Sequence, residues 1–136
     1  MVTRFICNIY NIILVTLRRQ IDYLFQDPIG QWLSKEHQEE KNEYALLIND
    51  QDKAATRIID RTFIDQGIRW IIDFKTGSKE EETEHQHRQQ LNNYAELLAR
   101  NSEVPIRCGL YYLASGNWLH WDYISEVKKR MVSLSF

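Results

Sequence analysis

The architecture turns on two runs, Arg57-Ile58-Ile59-Asp60-Arg61 and Trp70-Ile71-Ile72-Asp73-Phe74-Lys75-Thr76-Gly77, with Gln66-Gly67 between them. Both are rich in β-branched and aromatic residues, which predicts two strands. Read as a two-residue hairpin loop, Gln66-Gly67 sets Asp65 opposite Ile68. Stepping back along both strands then sets Asp60 opposite Asp73. Lys75 lies two residues beyond Asp73 and so points to the same face. Two carboxylates and an ammonium converge within roughly 5 Å, the spacing of opposed cross-strand side chains. Like charges facing each other repel, and a divalent cation between them is the simplest reason to build such a pair.

Alternation extends the reading. Trp70, Ile72 and Phe74 share one face, and Ile71, Asp73 and Lys75 the other, lined up with Ile58, Asp60 and Thr62. So apolar a strand is expected to be central and covered on both faces. Asp73 and Lys75 are then partly buried and need partners. The plain alternative is a solvated Asp73–Lys75 salt bridge, with Asp60 paired to Arg57 or Arg61.

Outside these strands, Thr3 to Phe25 is predicted as an amphipathic helix packed on the core, with Ile6, Tyr10, Ile13, Leu17, Ile21 and Leu24 at three- and four-residue steps. It ends at the breaker cluster Asp27-Pro28-Ile29-Gly30. Trp32-Leu33 anchors the next turn, and Ser34 to Lys41 is a short exposed helix or a loop. Glu43 to Ile48 reads as the first strand, with a turn at Asn49-Asp50-Gln51-Asp52. Ala55 to Ile64 and Ile68 to Lys75 form the hairpin. Gly77 to Glu84 reads as an acidic loop and His85 to Arg100 as a helix with Leu91, Tyr94, Ala95 and Leu98 inward. Ile106 to Leu113 and Trp118 to Tyr123 make a second hairpin, and Lys128-Lys129-Arg130 a basic tail. The order is helix, three strands, helix, two strands: an α/β fold with a mixed sheet flanked by helices.

At 136 residues one domain is expected. The formal net charge of -2 does not by itself advertise nucleic-acid binding, although local patches count for more than the sum. Cys7 and Cys108 fit no metal spacing and read as buried thiols. The apolar run Phe5 to Leu17 is broken by Asn8 and Asn11, followed by Arg18-Arg19, and too short to span a bilayer. A soluble chain without membrane association is expected.

The downstream helix carries Gln90-Leu91-Asn92-Asn93-Tyr94, whose Gln90 and Tyr94 share a face. With that motif the order becomes Glu43, then Ile59-Asp60-Arg61, then Ile72-Asp73-Phe74-Lys75-Thr76, then Gln90-x-x-x-Tyr94. This pattern resembles the PD-(D/E)XK nuclease superfamily. More narrowly, it is similar to the RecB-type nuclease domain at the C-terminus of bacterial UvrD-like helicase-nucleases, the RecB and AddA relatives. The resemblance runs from about Asp27 to Trp121. It implies a restriction-endonuclease-like mixed β-sheet core and a single RecB-type domain over residues 1–136, with room for a truncation at the N-terminus.

It further implies that Asp60, Asp73 and the main-chain carbonyl of Phe74 hold Mg2+ or Mn2+, with Glu43 helping to hold a metal or its water. Lys75 assists the attacking water, and Gln90 and Tyr94 aid substrate binding. The expected function is metal-dependent, exonuclease-like DNA hydrolysis in end processing and recombinational repair. The substrate is single-stranded DNA or duplex ends, the partner a UvrD-like helicase motor or a second helicase-nuclease subunit, and the location the bacterial cytoplasm. Arg57, Arg61 and Arg88 are candidate phosphate contacts.

The pattern departs from the family in three ways. Ile59-Asp60 replaces Pro-Asp. The first helix lacks the metal-ligand histidine of many RecB-type domains, and His37 reads instead as solvent-facing. No motor domain is present, and Gly77-Ser78-Lys79 lacks the upstream pattern of a phosphate loop. His85 and His87 read as a solvated loop and early helix. An inactive remnant or interaction module of a helicase-nuclease therefore stands as the rival reading, with a stand-alone member acting on junctions or flaps as a third.

Overall fold

The computed structural model describes residues 2–50, 53–76, 81–125 and 128–131, with side chains for 14–47, 54–76, 83–125 and 128–131. The order is α1 (Val2–Gln26), α2 (Pro28–Ser34), β1 (Gln38–Asp50), β2 (Lys53–Asp65), β3 (Ile68–Lys75), α3 (Glu81–Ala99), β4 (Ile106–Tyr112) and β5 (Asn117–Asp122). The five strands form one sheet in chain order. Its neighbours are antiparallel except β3 and β4, which run parallel around α3. This is the mixed sheet with flanking helices that a restriction-endonuclease-like fold requires. The residues of the expected phosphate-loop decoy at 77–79, half of the expected acidic loop, half of the β1–β2 turn and the Cys7 side chain lie outside those described.

The hairpin forms as its sequence dictates. Gln66 and Gly67 both take positive φ, 52° and 75°, the pair of left-handed conformations that a tight two-residue turn needs. The ladder runs from Asp65–Ile68 back to Arg61–Ile72, and Asp60 and Asp73 are the next residues along it.

β3 is covered on both faces. Ile71 packs with Leu91, Tyr94 and Ala95 of α3 and with Cys108 and Leu110 of β4. Trp70 and Ile72 pack on the opposite face with Leu33 of α2, Phe63 and Tyr111. One detail differs from strict alternation. Ile59, not Ile58, is buried with Ile71, while Ile58 is 54% exposed. The β2–β3 pairing ends at Arg61–Ile72, so beyond it β2 is no longer bound to the alternation of β3.

Three elements exceed or replace their expected forms. Asp27-Pro28-Ile29-Gly30 is a helix start rather than a bare breaker. The Asp27 carboxylate caps α2 by accepting the Gly30 N–H at 3.3 Å, and Pro28 occupies the first turn, where its missing N–H costs nothing. Gly30 is required because a Cβ there would run into the Leu24 carbonyl. β1 begins at Gln38, where a short helix or loop was expected. Its polar start is recruited by ion pairs instead of burial, Glu39 to Arg69 at 2.6 Å and Glu40 to Arg61 at 3.0 Å. α3 begins at Glu81, four residues before the expected start.

α1 forms over the expected span but is not packed on the core as expected. Among the described side chains, Leu14, Leu17, Ile21 and Phe25 are 40–56% exposed, and only Leu24 reaches the core cluster beside α2. Apolar periodicity shapes the helix without dictating what covers it. Among the described residues, no helix is long and apolar enough to cross a membrane.

Candidate active site

At the end of β3, the hairpin and α3 bring titratable groups together on one face of the sheet. Asp73 is 9% exposed. Its Oδ2 meets Lys75 Nζ at 2.5 Å, but outside the directions of a hydrogen bond, so this sealed oxygen is held by charge. Asp60 is half-buried, and its Oδ2 accepts the Phe74 N–H at 2.9 Å. Burial is the largest cause lifting the Asp60 carboxyl to about 6; sharing a hydrogen bond with Asp73, and that residue's charge, add to it. The Phe74 N–H and the Lys75 ammonium pull the other way without cancelling the shift. Two carboxylates this close compete for one proton, and a hard cation ligated by both relieves the repulsion more fully. The donor set thus suits an oxygen-ligated divalent ion.

α3 supplies the next layer. Gln90 Nε2 donates to the Tyr94 hydroxyl at 2.9 Å, and Tyr94 is buried with the charges of Asp73, Arg57 and Lys75 acting on it. Burial raises the Tyr94 phenol above its ordinary value, so it stays a neutral hydrogen-bonding group. Arg57 is exposed on β2 and lines a cleft of about 240 Å³ with Gln86, Gln89, Gln90, Asn93 and Tyr94. This cleft carries no acid, and its Tyr94 feels the charge of Asp73. A cavity of about 800 Å³ lies at the far end of β3 and β4 around Ile68, Pro105 and Tyr123, away from this chemistry.

Other expected residues stand elsewhere. Glu43 is exposed, with φ of 51° at its place between the Asn42–Arg61 and Tyr44–Ile59 pairs. That left-handed backbone breaks the regular alternation that would aim its carboxylate at Asp60. Among the described residues, no three His, Cys, Asp or Glu side chains converge as a metal site.

Arg61 is corrected from phosphate contact to structural tie. It is 8% exposed and donates to the Leu33 and Lys35 carbonyls, Asn42 Oδ1 and Glu40 Oε2, all at 2.7–3.0 Å. Arg88 donates to Glu84 at 3.0 Å and lies 4.8 Å from the Trp121 ring centre, leaving it partly exposed. His37 is not the solvent-facing side chain expected. It stacks on Phe63 with centroids 4.0 Å apart, and its Nε2 lies 2.6 Å from the Trp32 carbonyl oxygen.

Sequence reasoning passed over two groups here. His87 lies on the inner face of α3, one turn before Leu91. The Lys75–Tyr112 register brings Tyr112 beside the lysine. The signal for His87 was the helical step from 87 to 91 and 94. It was set aside by reading His85 and His87 as solvated.

A family model described as the PD-(D/E)XK nuclease superfamily matches residues 17–122, which takes in the whole sheet and α3. No curated protein matches the chain. The match and the paired acids with their lysine agree: the chain belongs to the PD-(D/E)XK nuclease superfamily, whose members are nucleases that generally work with divalent metal ions.

Proposed function

We propose that the chain is a RecB-type, metal-dependent deoxyribonuclease domain that hydrolyses phosphodiesters in single-stranded DNA or at duplex ends. In this reading it serves a helicase-nuclease in end processing and recombinational repair. The observation that carries the catalytic part is the Asp60–Asp73 pair joined to Lys75 at one end of β3. Asp60, Asp73 and the Phe74 carbonyl would hold Mg2+ or Mn2+. Such an ion, when bound, polarises the phosphodiester and makes its bound water more acidic.

The chain's own residues do the rest. Lys75 steadies the attacking water and offsets the charge that develops on the phosphate oxygens. Gln90 and Tyr94 form a fixed polar pair that orients the strand, and Arg57 and Arg88 contact phosphates flanking the scissile one. Glu43 would act only through water, from outside the carboxylate pair.

Degradation of end-labelled single- and double-stranded DNA with Mg2+ or Mn2+ tests the reading. Wild-type protein is expected to shorten the label, and Lys75→Ala, still folded, to leave it intact. Equal cleavage by Lys75→Ala contradicts the mechanism. The exposed, left-handed Glu43 favours a second reading, a remnant that keeps the fold without cutting. A folded wild type that leaves every substrate intact with either metal supports that reading.

A further inference from the structure

Buried side-chain polar atoms are normally hydrogen-bonded, so those that are not mark places prepared for something else. Four such atoms occur among the described residues: Gln20 Oε1, Asp73 Oδ2, His87 Nδ1 and the Tyr112 hydroxyl. The last three belong to β3, α3 and β4, elements that pack against one another. Tyr112 is the β4 partner of Lys75, 1% exposed and on the α3 face. His87 is on the inner face of α3, two turns before Tyr94. Lys75 is ion-paired with Asp73, and its charge acts on His87.

We propose that His87 and Tyr112 are positioning residues for Lys75. They form an acceptor pair that takes the ammonium when Asp73 turns its carboxylate to a cation. The inference rests on the reading of Lys75 as the working cation of the site. An ammonium has three donors and no acceptor, and a bare one swings freely on its four-carbon stem. Asp73 cannot ligate a metal with full charge and also hold Lys75 through the same oxygen. The imidazole Nδ1 and the phenol oxygen are the unspent acceptors that can keep the amine in place. Consistent with this, burial and then the Lys75 charge lower the His87 pKa from its ordinary value, leaving the ring neutral and able to accept. Burial likewise keeps the Tyr112 phenol protonated, with an oxygen lone pair free. Glu84, Arg88 and Asp73 also act on Tyr112, and none of these interactions occupies its hydroxyl.

The test removes Asp73 from the competition without metal. In protein labelled with 13C-lysine, the Lys75 ε-carbon resonance is identified by its loss in Lys75→Arg. In metal-free Asp73→Asn, that resonance is expected to stay apart from those of the solvent lysines. Adding His87→Leu with Tyr112→Phe is expected to move it onto them, and His87→Asn with Tyr112 intact to keep it apart. A Lys75 resonance that is the same with and without the acceptor pair overturns the proposal. So does one that already sits with the solvent lysines in Asp73→Asn.

In cleavage assays with Mg2+, His87→Leu is expected to lower kcat about tenfold, the loss of about one net hydrogen bond, with KM within about twofold and with recovery by His87→Asn. An unchanged kcat contradicts the proposal. Absence of cleavage by the wild type counts against the nuclease reading, while the resonance still decides the role of His87 and Tyr112.

Discussion

The two faces of the β-sheet treat their buried polar groups in opposite ways. On the α2 face Arg61, Trp32 and Tyr111 are satisfied. Arg61 makes four hydrogen bonds, Trp32 Nε1 donates to Asp65 at 2.9 Å, and the Tyr111 hydroxyl donates to Asp27 at 2.8 Å. On the α3 face, Asp60 and Asp73 crowd one another, and His87 and Tyr112 hold unpaired atoms. One face uses its polar groups to fix α2 and β1 on an aromatic layer. The other carries unfavourable electrostatics that folding alone would not select, and such local conflict is expected where a protein works.

If the contrast is real, substitutions on the two faces should separate activity from stability. The largest effect is expected at Lys75 and Asp73. Lys75→Ala and Asp73→Ala should each lower cleavage by about a hundredfold or more, the scale of losing a charge aimed at the transition state. Thermal unfolding should stay cooperative in both.

Next comes Arg61 on the other face. Arg61→Leu leaves two carbonyls and Asn42 without their donor and is expected to cost about 3 kcal/mol in urea unfolding. Affinity for DNA at a temperature where the variant is folded should stay unchanged. A loss of DNA affinity without loss of stability would return Arg61 to the binding surface.

Asp60 is expected to show the opposite sign. Its folded pKa of about 6 lies above the ordinary 3.8, so the native state binds the extra proton between those values. Stability of the metal-free protein should therefore be higher near pH 4 and fall as pH rises through 6. Asp60→Asn should remove that dependence and stabilise the metal-free protein above pH 6 by on the order of 1 kcal/mol, after solvent screening of a half-buried group. Urea titrations at pH 4.5 and 7.5 check both statements. The smallest effect belongs to the stripe of α1, where Leu17→Gln should change stability by less than about 0.5 kcal/mol because the side chain is already 40% exposed.

The same contrast separates what could be read in advance from what could not. The hairpin was legible because Gln66-Gly67 admits positive φ and sets a unique register, and a period of two then carries Asp73 and Lys75 to one face. Gln90 and Tyr94 followed from helical spacing. Interactions across the sequence were not legible. Nothing local tells that the guanidinium of Arg61 will reach 28 residues back to Leu33, or that His37 will lie flat on Phe63. The polar start of β1 carries no hydrophobic alternation, since ion pairs to Arg61 and Arg69 hold it in the sheet. Glu43 sits at the expected place in the strand order, but its backbone departs from the strand geometry on which the side-chain assignment relied. α1 shows the limit of periodicity most plainly, because an apolar stripe fixes a helix face and leaves its cover unstated.

The central claim is that the crowded carboxylates on the α3 face are a metal site. Calorimetric titration of the folded protein with Mn2+ tests it most directly, comparing the wild type with Asp60→Asn and Asp73→Asn. Saturable binding by the wild type that weakens at least tenfold in both variants is the predicted result. No binding by the wild type, or binding untouched by either substitution, would contradict the account.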